Sequence, residues 1–209
     1  MQERARIIPI DEQDGPAEAV TDAEAHPDEP LVEGLRRLDA AAYEELMERY
    51  EGPLYRFFLY SHGDHDLAQD QCAETFANMI GAIGKMRGGA HCLRPFVFGV
   101  ARNVLRRAWR RRRDLPLGDQ AIEWIRDRAP SAARQAAARQ GLELALRAIE
   151  LIDQPARQIL LLRFVEELSI QEISEALDLP EGTIKSHIHR SRKRLKTMLA
   201  DRDDGRPSR

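Results

Sequence analysis

The feature that most constrains this 209-residue chain is the spacing of its apolar residues. They recur every three or four positions, and no stretch of useful length alternates apolar with polar. A repeat near 3.6 residues buries one face of an α-helix, whereas a half-buried strand needs a repeat of two. The chain is therefore expected to be all-α. Leu35, Leu38, Ala42, Leu46 and Tyr50 mark a first helix, with helical patterning from Leu31 and a break at Gly52–Pro53. A short helix over 54–60 leads into the polar turn SHGDHD (61–66). The next helix, over 67–86, turns Ala68, Cys72, Phe76, Met79, Ile80 and Ile83 inward. The glycines and proline of RGGAHCLRP (87–95) make a loop. A helix over 96–112 then buries Phe96, Val97, Val100, Val104 and Leu105. The mixed, proline-interrupted stretch 114–141 separates these from four further helices, over 142–152, 156–167, 169–177 and 181–199. Two small helical domains joined by a linker are expected.

The net charge of −3 hides a strong segregation. Residues 1–34 hold ten Asp or Glu against two Arg, a balance of −8, so residues 35–209 sum to +5. The first 33 residues also contain four prolines and no aromatic residue, and read as a disordered acidic tail. Two blocks are purely basic: RNVLRRAWRRRR (102–113) carries seven Arg, and 185–196 carries six Lys or Arg, with no acid in either. Two cationic stripes on amphipathic helices point to a nucleic-acid partner. No apolar run reaches 18 residues, so no membrane-inserted helix is expected. The opening MQERARIIPIDEQDG has no apolar signal core, and a cytoplasmic chain is expected. In a reducing compartment Cys72 and Cys92 would be free thiols, a bridge between them being the other reading.

The segment LSIQEISEALDLPEGTIKSHIHRSRKRLKTML (168–199) reads as a helix-turn-helix. Ser169 and Glu172 have capping-box spacing. Ile170, Ile173 and Leu177 give the first helix its buried side, DLPEG (178–182) makes the turn, Leu179 can plug the core, and Pro180 suits a helix start. Ile184, Ile188 and Leu195 bury the second helix. At 100° per residue the opposite face carries Thr183, Ser186, Arg190, Lys193 and Thr197, flanked by His187 and Arg194; with Lys185 these form a recognition-helix set. Arg190 can fork to guanine or clamp a phosphate, and the later cations suit phosphates.

No metal site or cofactor is expected. His187 and His189, two apart on a helix, point to different faces, and His62 and His65 sit in a surface turn. The chain shows no Ser–His, Cys–His or phosphate-loop pattern, so an enzyme is not expected.

These motifs together resemble an extracytoplasmic-function sigma factor of bacterial RNA polymerase. The 168–195 segment is similar to the family's region 4, the reader of the −35 element. AAYEELMERYEGPLYRFFLYSHGDHDLAQDQCAETF, followed by FVFGVARN and the arginine run, resembles region 2. The resemblance implies region 2 over 34–113, a linker over 114–138 threading the polymerase cleft, region 4 over 139–201 and a short tail over 202–209. It places Asp70, Glu74, Thr75 and Phe76 on the surface that grips the β′ clamp helices, and adds the β flap as a second polymerase contact. It places Phe96, Phe98 and Asn103 near the melted −10 strand, with Arg102, Arg106, Arg107 and Arg110 along its phosphates. Core packing is the alternative for both phenylalanines, and Trp109 would either stack or cover the domain's edge. Family members often carry Gln where this chain has Ala73 and Trp where it has Phe96. The function implied is promoter-specific initiation with core polymerase, held in check by an anti-sigma protein. Two rival readings are a stand-alone helix-turn-helix regulator and a sigma mimic that sequesters an anti-sigma protein.

Overall fold

The computed structural model describes residues 26–114, 149 and 151–203. Among these there are seven α-helices and no strand: α1 (Glu29–Arg36), α2 (Ala40–His62), α3 (His65–Ala82), α4 (Leu93–Asp114), α5 (Ala156–Phe164), α6 (Ile170–Leu177) and α7 (Glu181–Asp203). The chain divides into two compact units, with α1–α4 in one and α5, α7 and the start of α6 in the other. Most of the expected linker and of the 142–152 helix lies outside the described residues.

The first unit begins earlier than its sequence suggests. Helix α1 starts at Glu29, inside the stretch read as acidic tail, because Pro30 suits a first turn and Leu31, Val32 and Leu35 are buried. It ends where Leu38 takes a left-handed φ of 60° and the Asp39 amide donates to Gly34 O at 3.0 Å. The Asp39 carboxylate then caps α2 by accepting from the Ala41 amide. Gly34 lets α1 and α2 approach, since a Cβ there would stand 2.7 Å from that of Ala42.

Helix α2 runs through Gly52–Pro53 without the expected break. Pro53 forfeits one backbone hydrogen bond, but Gly52 lacks the Cβ that normally drives the pre-proline residue out of helical φ/ψ. Burial of Leu46, Tyr50, Leu54, Phe57 and Phe58 on one side carries the helix across. Gly63, at φ 74°, and Asp64, whose carboxylate accepts from the Leu67 amide at 3.1 Å, make the connection into α3. Both ring nitrogens of His62 are engaged there: Nε2 with Gln71 Oε1 at 2.8 Å and Nδ1 with the Asp64 amide at 3.3 Å.

Helix α4 begins at Leu93, three residues before its expected start, since Pro95 falls in the first turn where its missing N–H is no loss. Leu93, Val97, Phe98, Ala101, Val104 and Leu105 are buried. Phe98 closes an aromatic cluster, its ring 5.8 Å from Phe57, which in turn lies 5.5 Å from Phe58, both pairs edge-on.

In the second unit the capping box forms as expected: the Glu172 amide donates to Ser169 Oγ at 3.1 Å and the Ser169 amide to Glu172 Oε2 at 2.7 Å. Asp178, at φ 51°, closes α6, the Leu179 amide donates to Ser174 O at 3.2 Å, and Ser174 Oγ donates to Leu179 O at 2.7 Å. These bonds fix the turn that aims α7. Losing the cap through Ser169→Ala should lower the stability of this unit by about 1 kcal/mol. Thermal unfolding measures it, and Ser169→Thr should retain most of the stability.

Candidate nucleic-acid interfaces

Helix α4 separates its chemistry by face. Leu93, Val97, Phe98, Ala101, Val104 and Leu105 are interior, Phe96, Val100 and Trp109 are half-buried, and Asn103, Arg106, Arg107, Arg110 and Arg111 are exposed, with Arg102 half-buried. Arg107 lies 3.9 Å from Glu74 on α3, a contact too open to fix the side chain firmly. The result is a run of guanidinium groups over two turns and more, at spacings that follow one side of the helix. Such a run suits a polyanion, which would offset its self-repulsion.

The two phenylalanines expected beside this stripe part company. Phe98 is 1 % exposed and belongs to the core, so it is unavailable to a base. Its phase explains this: positions 97, 98, 101, 104 and 105 share the inner side of α4. Phe96 is half-buried, as is Trp109. The short turn Ala90–Cys92 precedes the helix, with Arg87 and His91 exposed at the loop surface.

Helix α3 is rotated relative to its expected phase. Gln71 and Thr75 are buried, while Ile80 is 55 % exposed and Phe76 half-buried. Thr75 is therefore no partner contact. Its hydroxyl donates to Gln71 O at 2.7 Å, which satisfies it locally and lets it enter the core. The outward side carries Asp70, Ala73, Ala77 and Ile80, with Glu74 at its margin. Sequence reasoning missed Ile80. Its spacing from Ala73 and Ala77, at i+7 and i+3, was the available signal for a second, outward apolar strip.

Cys72 is buried in α3, and burial pushes its thiol up to about 12, helped by the nearby Glu51 carboxylate. The neutral thiol therefore dominates at pH 7, and the sulfur is a core atom rather than a nucleophile.

Helix α7 places Ile184 and Leu195 in the core, with Ser191 also buried and Ile188 half-buried. Lys185, Ser186, Arg190, Lys193, Arg194 and Thr197 are exposed; Thr183 and His187 are half-buried. Ser186 Oγ donates to Gly182 O at 2.8 Å and Arg190 Nε to Ser186 O at 3.2 Å, holding the Arg190 stem along the helix. Lys185 pairs with Glu181 at 3.3 Å and Arg194 with Asp153 at 3.7 Å, both exposed. Burial, and then the Arg190 charge, lowers the His187 pKa, so the ring is neutral at pH 7 and can donate or accept. Small polar groups at the helix start and cations beyond suit a major groove.

Comparisons with known proteins agree with this geometry. Residues 46–114 match Sigma-70 region 2 and residues 142–195 match Sigma-70 region 4. The RNA polymerase sigma-E factor of Streptomyces antibioticus is 30% identical over 139 residues, covering 66% of this chain and 71% of that protein. The RNA polymerase sigma-H factor of Pseudomonas aeruginosa is 27% identical over 185 residues, covering 82% and 93%. Among solved structures, CnrH in complex with the cytosolic domain of CnrY shares the fold, with a TM-score of 0.61 at 18% identity over 83% of this chain and 97% of that one. The chain belongs to the sigma-70 family, in its extracytoplasmic-function group, and directs promoter-specific transcription with core RNA polymerase.

Proposed function

We propose that the two units divide the promoter between them. The first, 29–114, docks on core polymerase and opens the −10 element; the second, ending near residue 201, places α7 in the −35 major groove. On α4, Arg102, Asn103, Arg106, Arg107 and Arg110 follow the freed strand, and Phe96 offers a ring edge to an unstacked base. On α7, Thr183, Lys185, Ser186, His187 and Arg190 face bases or their neighbouring phosphates, and Lys193 and Arg194 grip the backbone. Asp70, Glu74 and Phe76, joined by Ala73, Ala77 and Ile80, form the face for the β′ clamp helices. Small residues there let a partner helix approach closely, and the carboxylates suit its cations. The β flap is the second polymerase contact, 114–138 spans the cleft between the two units' sites, and the protein works in the cytoplasm. An anti-sigma protein covers these faces when transcription is off.

The observation that carries this reading is the pair of separate helices, each apolar inside and cationic outside. Run-off transcription with purified core enzyme on a genomic promoter library tests it. Transcripts should begin downstream of two short shared elements at fixed spacing. Output no different from core enzyme alone would refute the reading.

A further inference from the structure

The connection between α3 and α4, residues 83–92, contains three glycines, two of them adjacent at Gly88–Gly89. Met86 and Ala90 are buried on either side of Gly88–Gly89. The Met86 amide donates to Ile83 O at 3.0 Å and the Cys92 amide to Gly89 O at 3.1 Å. Gly88 sits between these anchors at φ 93°, and the Cys92 sulfur fills the space a side chain would take, 2.6 Å from an ideal Cβ. A side chain from α1 reaches the loop in an exposed hydrogen bond. Arg36, at the end of α1, donates from Nη2 to Gly88 O at 3.0 Å, across 52 residues of sequence.

Arg36 is well placed to hold that carbonyl. Its helix is pinned by Val32 and Leu35, both fully buried, and by the close approach of Gly34 to Ala42. The backbone turn at Leu38 fixes the end of α1, so the arginine stem starts from a defined point.

We infer that Arg36 is a positioning residue for −10 recognition: it braces the Gly88 carbonyl and so presets the loop that leads into the DNA-facing helix. The inference rests on the proposed assignment of this loop and α4 to the −10 element. Without the brace, Gly88 and Gly89 sample a wide φ range, and ordering them subtracts from the free energy of capturing the strand. Extracting a base from the stack already costs a few kcal/mol, which leaves little margin for a loose receiving loop.

The test compares wild type, Arg36→Ala, Arg36→Lys and Gly88→Val in reconstituted holoenzyme. Each is assayed on the native promoter and on promoters with single −10 or −35 substitutions. Arg36→Ala should lower open-complex formation about five- to tenfold and flatten discrimination among −10 variants. Polymerase affinity, −35 discrimination and melting temperature should hold. Arg36→Lys keeps a donor and should restore most of the loss. Gly88→Val, strained at its positive φ, should show the −10 defect strongly. If Gly88→Val is defective at −10 and Arg36→Ala is not, the brace is refuted. If neither changes −10 selection, the assignment of the loop itself fails. A general loss at both elements with a lower melting temperature would make Arg36 merely structural, which also overturns the inference.

Discussion

Phe98→Ala should destabilise the first unit by about 3–5 kcal/mol, the usual range for emptying a buried phenylalanine site. For a unit of this size that lowers the melting temperature by about 15–30 °C. The expectation follows from a side chain 1 % exposed and an edge-on contact with Phe57 at 5.8 Å. Phe96→Ala, two residues away and half-buried, should lower the melting temperature clearly less and, on the proposed reading, lose promoter opening as well. Calorimetry on the two variants, with open-complex assays on each, separates a core ring from a nucleic-acid ring. A Phe98→Ala protein that melts normally and fails only in strand opening would return Phe98 to the DNA surface.

The second large effect concerns the α4 stripe. The triple variant Arg106→Gln, Arg107→Gln, Arg110→Gln should reduce open-complex formation by on the order of 10²–10³-fold at moderate salt. The logarithmic salt dependence of promoter binding should flatten by about two to three, close to one unit per phosphate contact removed. Arg107 should contribute least of the three, because it leaves Glu74 to meet a phosphate. Contacts to the −35 element should persist, since α7 is proposed to make them, and polymerase affinity should change little, Arg107 touching the proposed docking face only through its 3.9 Å approach to Glu74. Unchanged strand opening and an unchanged salt slope would mean that the guanidinium run faces only solvent.

The fold class and the capping box at the start of α6 were readable because their signals are local. Ser169 and Glu172 stand at the one spacing that lets each cap the other's backbone amide, and both bonds form. The basic faces of α4 and α7 were readable for a similar reason: a charged residue opposite a buried one must face water or a partner. What escaped was decided by tertiary contacts. Gly52–Pro53 looked like a break until the burial of Tyr50, Leu54 and Phe57 outweighed one missing hydrogen bond. The helical pattern from Leu31 reads as one helix, but it splits at residues 37–39, where Leu38 takes a left-handed φ of 60° and is exposed rather than on the apolar face. The phase of α3 was misjudged because hydropathy counts Gln71 and Thr75 as surface residues. The structure satisfies the Thr75 hydroxyl within its own helix and Gln71 Oε1 against His62, so both turn inward and Ile80 turns out. Thr75 thereby left the candidate site, and Ile80 entered it.

The protonated state of Cys72 has a consequence for how the cell can address this protein. Peroxides and electrophiles react with thiolates, and this sulfur offers almost none and lies beneath the surface. Cys72 is therefore a slow target for oxidants. If α3 docks on polymerase as proposed, Cys72 is a poor place to regulate that docking by thiol chemistry.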